Sequence, residues 1–361
     1  MLSAANEAAA LDRLHELNCT DGLPVVVPTE ARVARMALAS GLDRDLALGE
    51  MGPGKGIATV EKVAVAAVMA GCLPDYMPLV VAAVKAVLDP RFDLTEMQAT
   101  THCTAPLILV NGPARHDIGP IACGFGALGP GHRANASIGR ALRLAMINIG
   151  GGRPGESDMA LLGHPGKFTY CLGEDEEASP LPPLHVDLGF APEDSTVTVI
   201  GAEAPHSVLF GGDGDDPESA ERLLECLAIG LANIVTNNAV LTGGAALVLL
   251  NPEHAAVLAD AGLDRRRIAE RLHGLCAHSP EALARYAAAF APRRTQSVGH
   301  PRSCFADPED ILIAVAGGTG LYSMAVPTWC GGPHRNRAIT VPVETGQHCE
   351  VPSTGHAEVN L

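Results

Sequence analysis

The chain has 361 residues and a formal charge of −16; 47% of it is hydrophobic, 18% charged and 3% aromatic. That composition excludes a disordered polypeptide and allows a large core of Ala, Val, Leu and Ile, in two domains or one large α/β unit. The acidic balance argues against a nucleic-acid partner, which needs a basic stripe, yet a local arginine cluster can still hold a small anion.

In chain order, Leu11, Leu14 and Leu17 predict a short amphipathic helix over 3–18. Asp21 to Pro24 reads as a turn, and Thr29 is placed to cap a helix starting at Glu30. Residues 51–56 are glycine-rich and expected as a loop, after which Thr59 caps a helix over 60–70. A further helix, punctuated by Pro74 and Pro78, runs to about residue 88. A strand at 107–111, a glycine-rich stretch and a helix over 135–149 follow. Residues 150–183 carry the acid run Glu174 to Glu177 and read as an excursion over the surface or over a site, before a strand at 196–200. The second half reads as a helix over 217–233, a strand at 246–250, helices over 252–261, 265–278 and 280–289, and a strand at 311–316.

This alternation predicts an α/β fold of mostly parallel, helix-covered sheets. A weak internal echo predicts two pseudo-repeated α/β halves. Residues 105–111 recur as 245–251, and 197–207 recur as 313–323. The corresponding division is an N-terminal helical and loop segment (1–58), a first half with glycine-rich and acidic excursions (59–210), a second half (211–345) and a C-terminal tail (346–361). The site is expected where the strand ends of the two halves face each other.

The first residues lack a basic region followed by an apolar one, and no stretch reaches about 18 uninterrupted apolar residues. A soluble, cytoplasmic protein without a membrane partner is therefore expected, with a homodimer as the default assembly. Ten cysteines stand singly, without a Cys-x-x-Cys pair, which suits reduced buried thiols.

No motif names a reaction, so candidate chemistry is assembled from residue types. The segment from Cys123 to Arg140 contains Gly124-x-Gly126-x-x-Gly129, but Pro130-Gly131 defers the helix, against a dinucleotide fold. Gly129, Gly131, Arg133 and Asn135 instead suggest a cradle for a carboxylate at a helix start. His102 and Cys103 precede the first echoed strand, and Cys103 is a candidate nucleophile. Cys330, His334 and Arg335 share a loop after the last strand and offer a thiol, an imidazole and a guanidinium. Glu203 and His206 follow the 196–200 strand as base and acid, and Tyr322, at the echoed position, is a candidate oxyanion donor.

Residues 21–29, 58–63, 129–136, 163–167 and 191–198 resemble motifs of an uncharacterised group of bacterial proteins, over most of 20–342. The resemblance implies no activity. It favours Arg133, Asn135, Glu203 and His206 over the two thiols.

Together these features predict an enzyme acting on a small carboxylate-bearing metabolite by lyase or hydrolytic chemistry, with no cofactor. One alternative is a metal-dependent enzyme whose ligands come from His164, Glu177, His185 and His206. The other is a non-catalytic binding protein or a subunit of a thiol-linked redox system.

Overall fold

In the computed structural model of the chain, residues 3–212, 216–286 and 301–344 are described. The expected tail (346–361) and the end of the helix expected over 280–289 lie outside the described residues. The chain opens with α1 (Glu7–Glu16), α2 (Glu30–Leu38), the hairpin β1 (Ala47–Met51) and β2 (Gly56–Thr59), and then α3 (Val60–Ala70), α4 (Met77–Leu88) and α5 (Leu94–Ala99). Next come β3 (Ala105–Asn111), α6 (Ala114–Asp117), α7 (Arg133–Asn148), β4 (Cys171–Gly173), α8 (Leu184–Asp187), β5 (Thr196–Ala202) and β6 (His206–Leu209). The remainder is α9 (Ser219–Leu231), α10 (Asn237–Leu241), β7 (Ala246–Leu250), α11 (Pro252–Asp260), α12 (Arg265–Leu275), β8 (Ala277–His278), α13 (Pro280–Tyr286), β9 (Arg302–Ser303), β10 (Ile311–Val315), β11 (Tyr322–Val326) and β12 (Ile339–Pro342). Among the described residues, no helix is long and apolar enough to cross a membrane.

The elements set by local chemistry start where the sequence puts them. Thr29 accepts from the Arg32 N–H and Thr59 from the Lys62 N–H, and their helices begin at the next residue. The 51–56 loop is the turn of the β1–β2 hairpin. Residues 1–58 were expected as a separate segment, yet Leu14, Val25, Val33, Met36, Met51 and Ala58 are buried in one core with α3, α4 and α7.

The protein is a four-layer sandwich. One sheet has the order β12-β5-β3-β4 and the other β10-β7-β11-β6. Leu107 and Leu109 of β3 meet Leu247 and Leu249 of β7 in a central core between the sheets, together with Ile200, Ala202 and Val326. Helices cover the outer faces: α4 lies on β5 and β12, and α7 on β4; α9 lies on β6 and β11, and α12 on β10. Gly139 lets α7 settle onto the chain entering β4, since a Cβ there would stand 2.6 Å from the Tyr170 nitrogen.

The sheets are mixed, not mostly parallel. In each, one pairing is parallel (β3–β4, β7–β10) and two are antiparallel (β3–β5 and β5–β12; β7–β11 and β11–β6). Continuous apolar strands suggested parallel pairing, but stacking of the sheets under outer helices buries both faces whatever the strand sense.

The two sheets share order and sense. The 105–111 and 245–251 echo falls on β3 and β7, the central strands that topology equates. The second echo equated β5 with β10, and the pairing overturns that, because β5 runs antiparallel to β3 whereas β10 runs parallel to β7. By pairing, β4 matches β10 and β5 matches β11: Leu107 faces Ile200 in one sheet, and Leu247 faces Val326 in the other. The last strand of each half crosses over. β6 pairs with β11 and β12 with β5, so a boundary at residue 210 divides the chain but not the sheets.

At one corner the sheets are joined by an antiparallel bridge between Ala202 and Thr328. On either side the Glu203 N–H donates to Pro327 O (2.9 Å) and the Trp329 N–H to Gly201 O (3.0 Å). These two bonds are related by an approximate two-fold axis through the bridge.

Candidate functional site

The most reactive-looking group of side chains gathers at this corner, on the first half's side of the axis. β5 ends at Ala202, which places Glu203 beside the segment leading into β3, and there Glu203 meets His102 with Nε2 2.9 Å from Oε1. The two side chains are 20% and 24% exposed. The other ring nitrogen of His102, Nδ1, is buried and has no hydrogen-bond partner. If Glu203 accepts the Nε2 proton, Nδ1 carries the lone pair, the tautomer a general base requires.

A second imidazole has the opposite arrangement. His164 Nδ1 accepts from the Gly166 N–H (3.1 Å), and its Nε2 is buried with no hydrogen-bond partner. Burial lowers the His164 pKa, opposed by the Ala202 carbonyl, and the neutral ring then carries its proton on Nε2. Tyr170 links the two histidines. Its hydroxyl donates to Glu203 O (3.1 Å) and its ring stands edge-on to His164, with centroids 5.9 Å apart.

Cys103 is partly buried beside His102 and lies within electrostatic range of Lys167. Burial nevertheless lowers the Lys167 pKa, and its ammonium bonds both oxygens of Asp158 (2.8 and 2.7 Å). Lys167 also lines a cavity of about 320 Å³ with Arg143, Arg153, Asp158, Glu156, Ile147, Pro154 and Phe168. The turn bearing Arg153 is firmly built, since its carbonyl accepts from the N–H groups of Glu156, Ser157 and Asp158 (3.2, 3.1 and 2.9 Å). It docks on the β1–β2 turn through glycines: the Gly54 N–H donates to Gly150 O (2.7 Å), and a side chain at Gly152 would collide with Gln98.

Other expected site residues are placed elsewhere. The predicted partner of Glu203, His206, is exposed at the start of β6 and belongs to the other sheet. Tyr322 is exposed and pairs with Leu209, at the far end of the same ladder, so it does not join Glu203 and His206.

The glycine-rich cradle is also rearranged. Its helix begins at Arg133, not Asn135. The Arg133 guanidinium donates to Gly71 O (3.2 and 3.0 Å), closing the C-terminus of α3. All three Asn135 side-chain bonds go to the backbone of Ala122 and Ala127, and the Gly129 N–H is spent on Gly126 O (2.6 Å). Gly131, at φ +106°, is left as an open turn.

The 330–335 loop is tied down. Cys330 is buried and donates to Asn237 O (3.3 Å), the His334 ring and N–H bond Asp93 (2.8 and 3.0 Å), and Arg335 bonds the carbonyls of Leu241 and Thr242.

The dispersed metal ligands do not converge. Glu177 turns to Arg115 and His116, which lower its pKa to about 2, whereas His185 is fully buried with Glu176 as its nearest carboxylate at 3.9 Å. Among the described residues, no group of three or more His, Cys, Asp or Glu side chains could hold a metal ion. Within the acid run Glu174 alone is buried: it accepts from Asn111, from Arg265 (3.1 Å) and from the Leu184 N–H (2.8 Å), joining the two halves. Burial raises the Glu174 pKa, and Arg265 opposes that rise.

The structure brings Glu203 together with His102, with Cys103 next in the chain, whereas the sequence reading paired Glu203 with His206. That reading cast His164 only as a dispersed metal ligand, although His164-Pro-Gly is a self-capping turn that fixes the imidazole tautomer. Arg153 carried no signal that sets it apart from a surface cation. No family model, curated protein or solved structure matches the chain, so the site rests on its own geometry.

Proposed function

We propose that the protein is an enzyme acting on a small carboxylate-bearing metabolite by lyase or hydrolytic chemistry, with His102 and Glu203 as its catalytic base. The observation that carries this reading is the buried, unpartnered Nδ1 of a histidine whose other nitrogen is fixed by a carboxylate. His102 Nδ1 takes a proton from carbon or from water, and Glu203 stabilises the imidazolium that forms. The neutral His164 ring donates an Nε2–H hydrogen bond to the developing oxygen, and the His102 imidazolium returns its proton to the departing group. Cys103 lies beside this pair as the candidate thiol, and the cations around Lys167 supply the charge that a carboxylate substrate needs.

The same reading includes duplication: the two halves descend from one α/β unit, and only the first kept polar chemistry at its strand ends. The shared order and strand sense of the two sheets support it.

The test is solvent deuterium incorporation or product formation across a panel of small carboxylates, read by NMR. With a turned-over substrate in hand, His102→Gln should lower kcat by about 10²- to 10⁴-fold while the Tm barely moves. Full activity in that variant overturns the assignment.

A further inference from the structure

We infer that the cavity between α7 and the 150–168 connection binds an organic carboxylate with an apolar body, the anionic end of the substrate. The inference rests on the acid–base reading only in calling the ligand a substrate; binding is measured without turnover.

Charge comes first. Arg143, Arg153 and Lys167 line the cavity opposite three carboxylates, of which Asp21 and Asp158 have buried side chains. Asp21 is already engaged by Arg140 (2.7 and 2.8 Å), and Glu156 is exposed to water. Asp158 spends both oxygens on Lys167 and stands 3.8 Å from Arg143 Nη1, beyond hydrogen-bond reach. Arg143 uses Nε on Lys167 O (2.7 Å) and is itself buried. The Arg153 Nε is buried with no acceptor at all. The lining thus holds three cations and three carboxylates, but Asp21 is engaged by Arg140 from outside the lining and Asp158 by Lys167, which leaves a buried guanidinium N–H of Arg153 awaiting a partner. A desolvated donor left unpaired is costly, and a carboxylate supplies the acceptor in the planar geometry that arginine favours.

Shape and polarity then narrow the ligand. At about 320 Å³, the cavity falls at the small end of small-molecule sites. Ile147, Pro154 and Phe168 give it an apolar wall, and the Phe168 side chain remains 45% exposed although it borders the cavity. Inorganic phosphate would leave that wall wet, whereas an aromatic or aliphatic carboxylate covers it.

Calorimetric titration of the full chain with benzoate and with inorganic phosphate tests the inference. Benzoate should bind, Arg153→Gln should weaken it by about tenfold, and Glu156→Gln, which removes a competing charge, should tighten it by about twofold. His102→Gln, outside the cavity lining, should leave benzoate affinity unchanged. The inference is overturned if benzoate fails to bind the unmodified chain, if Arg153→Gln binds it equally well, or if phosphate binds more tightly than benzoate. Benzoate binding with full turnover in His102→Gln would remove the acid–base reading and leave the cavity assigned. An inactive His102→Gln with no benzoate binding would do the reverse.

Discussion

The two ends that meet at the Ala202–Thr328 bridge occupy equivalent places and are finished in opposite ways. On the second half's side, Asn238 donates to the carbonyls of Gly243 (3.0 Å) and Ala245 (3.3 Å) and accepts from the Thr328 N–H (2.9 Å), and the Thr328 hydroxyl bonds Ala245 O. Asn238 is fully satisfied and fully buried. On the first half's side, His102 and His164 each keep one buried ring nitrogen without a partner. Past the bridge, one half continues with Glu203 and the other with buried Trp329. A closed buried network stabilises a fold, whereas an open one is held at a cost that a ligand can relieve. The same comparison separates the thiols: Cys330 is pinned in the closed end and Cys103 lies in the open one.

The comparison breaks most directly in the shared core. Leu107 and Leu247, both fully buried between the sheets, are paired by topology. Leu107→Ala and Leu247→Ala should each cost about 2–5 kcal/mol in denaturant unfolding, with similar values. A neutral result at either site would show that the halves are not packed alike.

Next come the strand ends themselves. Asn238→Ala should lower stability by about 1–3 kcal/mol and leave turnover intact, because it orphans buried backbone groups. Glu203→Gln should do the opposite, lowering kcat with little change in denaturation midpoint. If Asn238→Ala lost activity at unchanged stability, the assignment of structural and chemical ends would be reversed.

The smallest effect is a pH dependence present in both halves. His164 and His254 have pKa values lowered from 6.5, each chiefly by burial. The folded chain therefore binds these protons less tightly than the unfolded chain. Their stabilising contribution is complete above about pH 6.5 and is lost as pH falls through that value towards the folded pKa. Urea midpoints at about pH 7.5 and about pH 5.5 should fall on acidification, and His254→Gln or His164→Gln should each flatten that fall by less than about 1 kcal/mol. An unchanged slope in both variants would assign the acid sensitivity to other groups.

What could be read from sequence followed the range of the interactions involved. The helices after Thr29 and Thr59 depend on bonds within three residues and were placed to the residue. β6, β11 and β12 are short and are defined by partners far along the chain, so no local pattern marks them. Strand sense was lost because both faces of β3 and β5 are buried. In the site, Glu203 was visible as a polar residue at a strand end, but its true partner, His102, lies 101 residues away and His206 only three. Arg133 and Asn135 looked like ligand groups because a capped helix and an anion site call on the same residue types.

The exchange of β6 and β12 limits how the molecule can move. Swinging the halves apart would require unzipping β6 from β11 and β12 from β5 together, at the cost of two ladders of backbone hydrogen bonds. The fold is therefore latched at both ends, without a hinge. Adjustment to a ligand then falls to the 150–168 connection, which borders the cavity and carries two apolar residues, Leu161 and Leu162, 80% and 93% exposed.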